Sequence, residues 1–358
     1  MVRRGATAAK PAPRTGAAPR PARRRGSAGT VRHPQEGLRG RVLPRRTLAL
    51  GAAVALALVA AVLGVRAALA PGGGPAASGV APLSVLRTAD FHALAFSPDN
   101  PDTVFFGHHN GVMRSDDGGR TWKALVDRRN FDAMGLAVSH ANPRQIFLAG
   151  HDIFQVSTDG GVTWQEAVHN LPGTDIHGFA ISPDDPSRLY AFVVGHGVFG
   201  SGDAGRTWQR LGEVPRDVMA LAAAGGDPET LYAASMSAGV LRSTDGGKTW
   251  APAVTGLGSR RVLALAVDPS PGTGQALSSA APGAGRPARQ TLYAGTEGGL
   301  YKSTDGGATW ARLPFPGMTV VALAVSPARP QRILAISYHD GRGEVFRSDD
   351  GGATWGGR

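Results

Sequence analysis

The chain predicts an all-β protein, a six-bladed β-propeller built of four-stranded blades, and three observations lead there. The phrase Ser243-Thr244-Asp245-Gly246-Gly247-Lys248-Thr249-Trp250 occurs six times in the form S-x-D-x-G-x-T-W, the other copies beginning at Ser115, Ser157, Ser201, Ser303 and Ser348. All six tryptophans, Trp122, Trp164, Trp208, Trp250, Trp310 and Trp355, close one of these phrases at intervals of 42, 44, 42, 60 and 45 residues. A period of about 40–45 residues marks an array whose unit is one four-stranded sheet. Finally, each period carries three short apolar runs ahead of its phrase, separated by turns, as a meandering blade requires.

The chain opens on a tail, residues 1–46, rich in Ala, Pro, Gly and Arg, with too few large apolar side chains to bury a core; disorder is expected. Thirteen Lys and Arg against Glu36 give the tail +12 of the net +11, so residues 47–358 sum to −1. No aromatic residue is interleaved with the basic ones, and the tail reads as a solvated cytoplasmic segment with no nucleic-acid partner. Thr47 to Val65 are nineteen uncharged, mostly aliphatic residues, enough to cross a bilayer as a helix. The preceding arginines then place the N-terminus in the cytoplasm and everything after Ala70 outside, anchored in the cell membrane by one pass (47–70). An alternative is export and cleavage, since Arg45-Arg46-Thr47-Leu48 is similar to a twin-arginine motif and Ala68-Leu69-Ala70 suits a signal peptidase. Residues 71–82 form a Gly/Pro/Ala/Ser linker. Cysteine is absent, which excludes disulfides, thiolate metal sites and a lipoprotein anchor.

The propeller is assigned to 83–358. The first apolar runs alternate small and larger residues, for example Ala93-Leu94-Ala95-Phe96 and Leu263-Ala264-Leu265-Ala266-Val267, as crowding near a central axis requires, and are assigned to the innermost strands. Phe105, Phe147, Tyr190, Tyr232, Tyr293 and Leu334 share one position on the second strands and read as core fillers. The sixth repeat stops three residues after Trp355, too early for an outer strand of its own, so Leu83–Arg87 is expected to complete the last blade and close the ring. The long interval before Trp310 is explained by a Pro/Gly/Ala/Ser insertion at 270–289, expected to be a mobile loop.

The repeated phrase is a turn staple. Ser and Asp two residues apart return their oxygens to local backbone N–H groups, Gly supplies positive φ, and Trp inserts an apolar body into the sheet. Asp117, Asp159, Asp203, Asp245, Asp305 and Asp350 are therefore structural. The pattern resembles the Asp-box, or BNR repeat, of the sialidase superfamily, xyloglucanases, sortilin-type receptors and photosystem II assembly propellers. The D-x-H-(A/G) strand starts and G-H-x-G turns further resemble a group of bacterial membrane-anchored, glycosyl-hydrolase-like propellers. The resemblance implies the fold; it is shared by enzymes and binders alike.

In such a blade the loop entering the first strand and the loop joining the second and third strands emerge on one face, with the phrase on the other. The strand entries hold Asp90 with His92, Asp132, Asp175 with His177, and Asp217; the second-to-third turns hold His108, His109, His151, His196, Glu297 and His339. These residues are expected at one channel mouth and are the candidate ligand-binding set. Polar residues gathering on open loops is one reading of the cluster. A second is a divalent transition metal held by imidazoles, with His92, His109 and His177 as the ligands. The third is a glycosidase in which two carboxylates among Asp90, Asp132, Asp175, Asp217 and Glu297 flank a sugar, Asp90, Asp175 and Glu297 being the foremost catalytic candidates. The sialidase Arg-Ile-Pro motif is missing and no arginine triad assembles, which weighs against sialidase activity. The reading adopted is a monomeric ligand-binding or assembly module for a glycan or protein ligand, with a glycoside hydrolase as the alternative and a metal-binding surface protein third.

Overall fold

The computed structural model describes residues 79–269 and 290–356. The basic tail, the apolar segment 47–70, the start of the linker and the insertion 270–289 lie outside the described residues. Among the described residues no helix is long and apolar enough to cross a membrane.

Six four-stranded antiparallel sheets make the six blades. The ring closes with the first strand, β1 (Ser84–Leu86), as the outermost strand of blade six. Blade one comprises β2 (Ala93–Phe96), β3 (Val104–His108), β4 (Gly111–Ser115) and β5 (Lys123–Asp127); blade two comprises β6 (Gly135–Val138), β7 (Ile146–Gly150), β8 (Ile153–Ser157) and β9 (Gln165–Glu166). Blade three runs through β10 (Ile176–Ile181), β11 (Leu189–Val193), β12 (Gly197–Ser201) and β13 (Gln209–Gly212), and blade four through β14 (Val218–Ala223), β15 (Leu231–Ser235), β16 (Gly239–Ser243) and β17 (Ala251–Pro252). Blade five is β18 (Val262–Val267), β19 (Leu292–Thr296), β20 (Gly299–Ser303) and β21 (Ala311–Arg312). In blade six β22 (Thr319–Val325), β23 (Ile333–His339) and β24 (Arg342–Ser348) precede the borrowed β1, which pairs Ser84 with Val345 and Leu86 with Gly343. The strands β2, β6, β10, β14, β18 and β22 neighbour one another in order, with β22 beside β2, so they are the inner ring expected from their small-large alternation.

Each blade packs its faces against the next. Phe105, Phe147, Tyr190, Tyr232, Tyr293 and Leu334, the matched second-strand residues, are all buried, each worth about 1.5–3 kcal/mol of transfer free energy. The tyrosine hydroxyls find acceptors at the seams: Tyr232 donates to the Gly306 carbonyl (3.0 Å), Tyr293 to that of Gly351 (3.3 Å), and Tyr190 to the buried Glu229 carboxylate (2.9 Å).

All six staples form. In blade one the Ser115 hydroxyl donates to Asp117 (2.7 Å) and accepts from the buried Gly119 N–H (2.8 Å). Asp117 in turn accepts from the Thr121 N–H (2.9 Å) and hydroxyl (2.6 Å), and the Trp122 indole N–H reaches the Gly119 carbonyl (3.2 Å). The same Ser-to-Asp and Thr-to-Asp bonds recur around Asp159, Asp203, Asp245, Asp305 and Asp350. Glycines at positive φ, such as Gly118 (70°) and Gly119 (95°), make the turn. The seam between blades six and one carries additional stitching. Ser84 donates to the Gly119 carbonyl (2.6 Å) and accepts from the Trp122 indole (3.1 Å). The buried Arg332 of blade six reaches the Pro101 carbonyl (3.1 Å) and the Asp102 carboxylate of blade one while its Nε bonds Asp349 (2.6 Å).

Candidate functional site

The site lies at the mouth away from the staples, on blades one to three, and local backbone rules put it there. His109-Asn110 and His151-Asp152 are two-residue turns joining β3 to β4 and β7 to β8. Asp152 adopts φ 56°, a conformation that Asp tolerates better than most residues, which keeps the second turn tight and lifts His151 clear. Gly150 lets the Asp132 backbone pass: a Cβ at this position would overlap the Asp132 carbonyl. On β10 the register slips between Ile176 and Gly178, so His177 is the extra residue of a β-bulge, a device that re-aims a side chain. The same slip occurs at Met219, Leu263 and Val321. His92, Met134, His177, Met219 and Leu263 line the head of a central cavity of about 120 Å³. At about 30 Å³ per water, this cavity takes a few waters and is smaller than the roughly 300–1,000 Å³ of a typical small-molecule pocket.

Seven residues form one continuous network. Asp90 accepts the His109 backbone N–H at Oδ1 (2.8 Å), while its Oδ2 lies 3.2 Å from both His92 Nε2 and His109 Nδ1. Asp132, 2% exposed, sits beneath the rings, with its oxygens 3.6 Å from His92 Nε2 and 3.5 Å from His109 Nδ1 and a hydrogen bond to His151 Nδ1. Across the next seam His151 Nε2 meets His177 Nε2 at 3.0 Å, the rings nearly perpendicular at 89°. Asp175 Oδ1 completes the chain 3.1 Å from His177 Nε2 and 3.6 Å from His151 Nε2. Among the described residues, Asp90–His92–His109, His109–Asp132–His151 and His151–Asp175–His177 are the groups whose ligand atoms gather closely enough to hold an ion. His92 Nε2, Asp132 Oδ1 and Asp175 Oδ1 are buried atoms whose contacts within the network do not meet hydrogen-bond geometry, and such atoms call for a water, ion or ligand group.

Burial works against charge on the Asp90 and Asp175 carboxyls, but their histidine neighbours outweigh it and hold both below the ordinary carboxylate value. Burial likewise lowers the His151 imidazole, and the bond and charge of Asp132 reverse this and raise it. The imidazoles thus favour the ionised form of Asp90 and Asp175, and Asp132 favours the protonated form of His151.

Several expected residues fall elsewhere. His108 is buried, its ring stacked on Phe106 at 5.6 Å, with Nδ1 accepting the Asn110 N–H (3.3 Å); burial lowers its pKa. Sharing a strand face with Phe106 two residues before it accounts for this. Asp217 accepts the Ser235 hydroxyl (2.7 Å) and fixes a turn, and Glu297 pairs with Arg261 (2.9 Å). His339 is exposed beside Asp340, and His196 is exposed with its carbonyl bound to Arg210. The trio His92, His109 and His177 is not one group: His92 and His109 gather with Asp90, and His177 gathers with His151 and Asp175. His92 and His177 belong to blades one and three, and blade two inserts Met134, Asp132 and His151 between them. His151 is thus the imidazole that stands beside His177, and adjacency around the ring is the signal for it.

Fold and repeats together define a six-bladed β-propeller with a Ser-Asp-Thr turn staple in each blade. The BNR/Asp-box repeat model matches residues 155–166 and 241–252. Among solved structures, the chain is similar to the GH74 xyloglucanase from Xanthomonas campestris, at 20% identity and a TM-score of 0.50, over 76% of this chain and 46% of that one. It is also similar to the GH74 enzyme of Niastella koreensis (19% identity, TM-score 0.49, 74% and 46% covered) and to YCF48 from Cyanidioschyzon merolae (17%, 0.44, 75% and 85%). The chain spans less than half the length of the two GH74 structures. No curated protein sequence matches it.

Proposed function

We propose that this protein is a ligand-binding or assembly module, held at the outer face of the cell membrane by residues 47–70, which captures a glycan or protein ligand at the His/Asp mouth of blades one to three. One observation carries the reading: a network of four imidazoles and three carboxylates in which buried polar atoms of His92, Asp132 and Asp175 lack a well-formed hydrogen bond. Unpaired buried groups are costly, and a ligand that satisfies them recovers that cost on binding. The small cavity beneath the mouth leaves the rim as the place for a chain-like ligand.

A hydrolytic role would require two carboxylates facing each other across an open groove. Here Asp132 is covered by histidines and Glu297 is neutralised by Arg261, which favours binding over hydrolysis. The test is a glycan and peptide array probed with the full chain and with the His92→Ala/His177→Ala double variant. Selective binding that the double variant loses supports the mouth as the site; equal binding by both proteins rejects it.

A further inference from the structure

We infer that His151, Asp175 and His177 form a binding site for one divalent transition-metal ion, with Asp132 as its supporting group. This rests on the mouth being the binding site and names a component of it. The distances between His151 Nε2, His177 Nε2 and Asp175 Oδ1 are 3.0, 3.1 and 3.6 Å. A triangle with these edges has a circumscribed circle of radius about 1.9 Å, so an ion at the usual zinc–ligand length of about 2.0–2.1 Å sits about 0.8 Å above its plane. Three corners of a tetrahedron with about 2.05 Å bonds give nearly the same figure, and the fourth corner is left to an incoming ligand atom.

Three further features point to the same assignment. Asp132 takes the Nδ1 hydrogen of His151, which leaves the lone pair on Nε2, the atom facing His177. This is the carboxylate–histidine arrangement that fixes the tautomer of a metal ligand and raises its basicity. Asp175 Oδ1 is buried and has no hydrogen-bond partner although two imidazole nitrogens lie within 3.6 Å. The ligands come from rigid places: His151 from a two-residue turn between paired strands, and His177 from a bulge in the inner ring. Two imidazoles and a carboxylate suit zinc and its first-row neighbours rather than calcium or magnesium, which take all-oxygen sites. An ion there would leave its remaining coordination position to a hydroxyl or carboxylate of a bound ligand.

The test is equilibrium dialysis of the chelator-stripped full chain against zinc chloride with elemental analysis, together with titration calorimetry. One zinc ion per chain is expected, uncompeted by excess calcium or magnesium. Removing a ligand in His177→Ala, or the supporting carboxylate in Asp132→Asn, should weaken binding by about 10–100-fold. His339→Ala, an exposed imidazole outside the group, should leave it unchanged. Zinc should also raise the melting temperature of the unmodified chain and not that of His177→Ala, a comparison that keeps the test valid if a variant is merely less stable. Failure of the unmodified chain to retain zinc, or equal losses in His177→Ala and His339→Ala, overturns the site. If array binding survives in stripped protein while zinc is not retained, the ion is rejected and the ligand-binding mouth stands.

Discussion

Replacing Ser115 with Ala isolates what the repeated phrase contributes. The hydroxyl is buried and accepts the buried Gly119 N–H at 2.8 Å. The substitution keeps the backbone and removes the acceptor, so that donor is left without a partner away from water. An orphaned buried N–H costs about 1–3 kcal/mol. For a domain of this size each kcal/mol moves the melting temperature by about 2–4 °C, so a central estimate of 2 kcal/mol lowers it by about 4–8 °C. Thr121→Val is the matched control. Its hydroxyl bond to Asp117 (2.6 Å) lies at the surface, where water replaces it, and the loss should stay within about 0.5 kcal/mol. Scanning calorimetry on the full chain, in one buffer, compares the two. The explanation fails if Ser115→Ala melts within 1 °C of the unmodified protein, or if Thr121→Val is the costlier change.

Other consequences are testable in the same way. The Thr163 and Thr207 hydroxyls and backbone N–H groups hold the Asp159 and Asp203 carboxyls at about 2. Groups depressed on folding stabilise above their ordinary value and lose that contribution as pH falls through the folded one. The melting temperature should therefore fall modestly between about pH 4 and pH 2, these carboxyls being exposed and screened by water, and a profile flat to pH 2 would contradict this. Tyr190→Phe removes one donor from the buried Glu229, at a cost of about 1–2 kcal/mol by chemical denaturation; a neutral change would mean that Arg188 and the Gly225 N–H suffice. Gly150→Ala should displace the Asp132 backbone, destabilise the fold by about 1–3 kcal/mol and weaken binding at the mouth, with calorimetry and the array as readouts.

Blade number, blade order and ring closure were legible because each repeat prints a tryptophan-ended staple whose spacing cannot suit another architecture without breaking the hairpins. Even the borrowed β1 could be placed, since Leu83–Arg87 is an apolar run ahead of the first inner strand, and it pairs with β24 as expected. The mouth was legible as a face and less so as a site. The entry Asp and the second-to-third turn His of successive blades were assigned to one rim, and Asp90, Asp132, His109, His151 and His177 do meet. Which residues touch depends on side-chain direction and on blade adjacency. Period-two alternation turns His108 into the core and His109 out of it, and the intervening blade separates His92 from His177. Glu297, a catalytic candidate from the sequence, is neutralised by Arg261, which comes from a loop thirty-six positions earlier and so leaves no local signal of the pairing.

The borrowed strand has a mechanical consequence. β1 is three residues long, and it latches the circle through Leu83 and its pairing with β24 and through the Ser84 hydroxyl on blade one. A cut between Leu86 and Ala93 would free this latch and bare the edge of β24, which invites pairing with a second copy. Tension on the leading segment falls first on the bond from the Leu83 N–H to the Val345 carbonyl (2.7 Å), so whatever holds the chain at that end also bears on whether the circle stays shut.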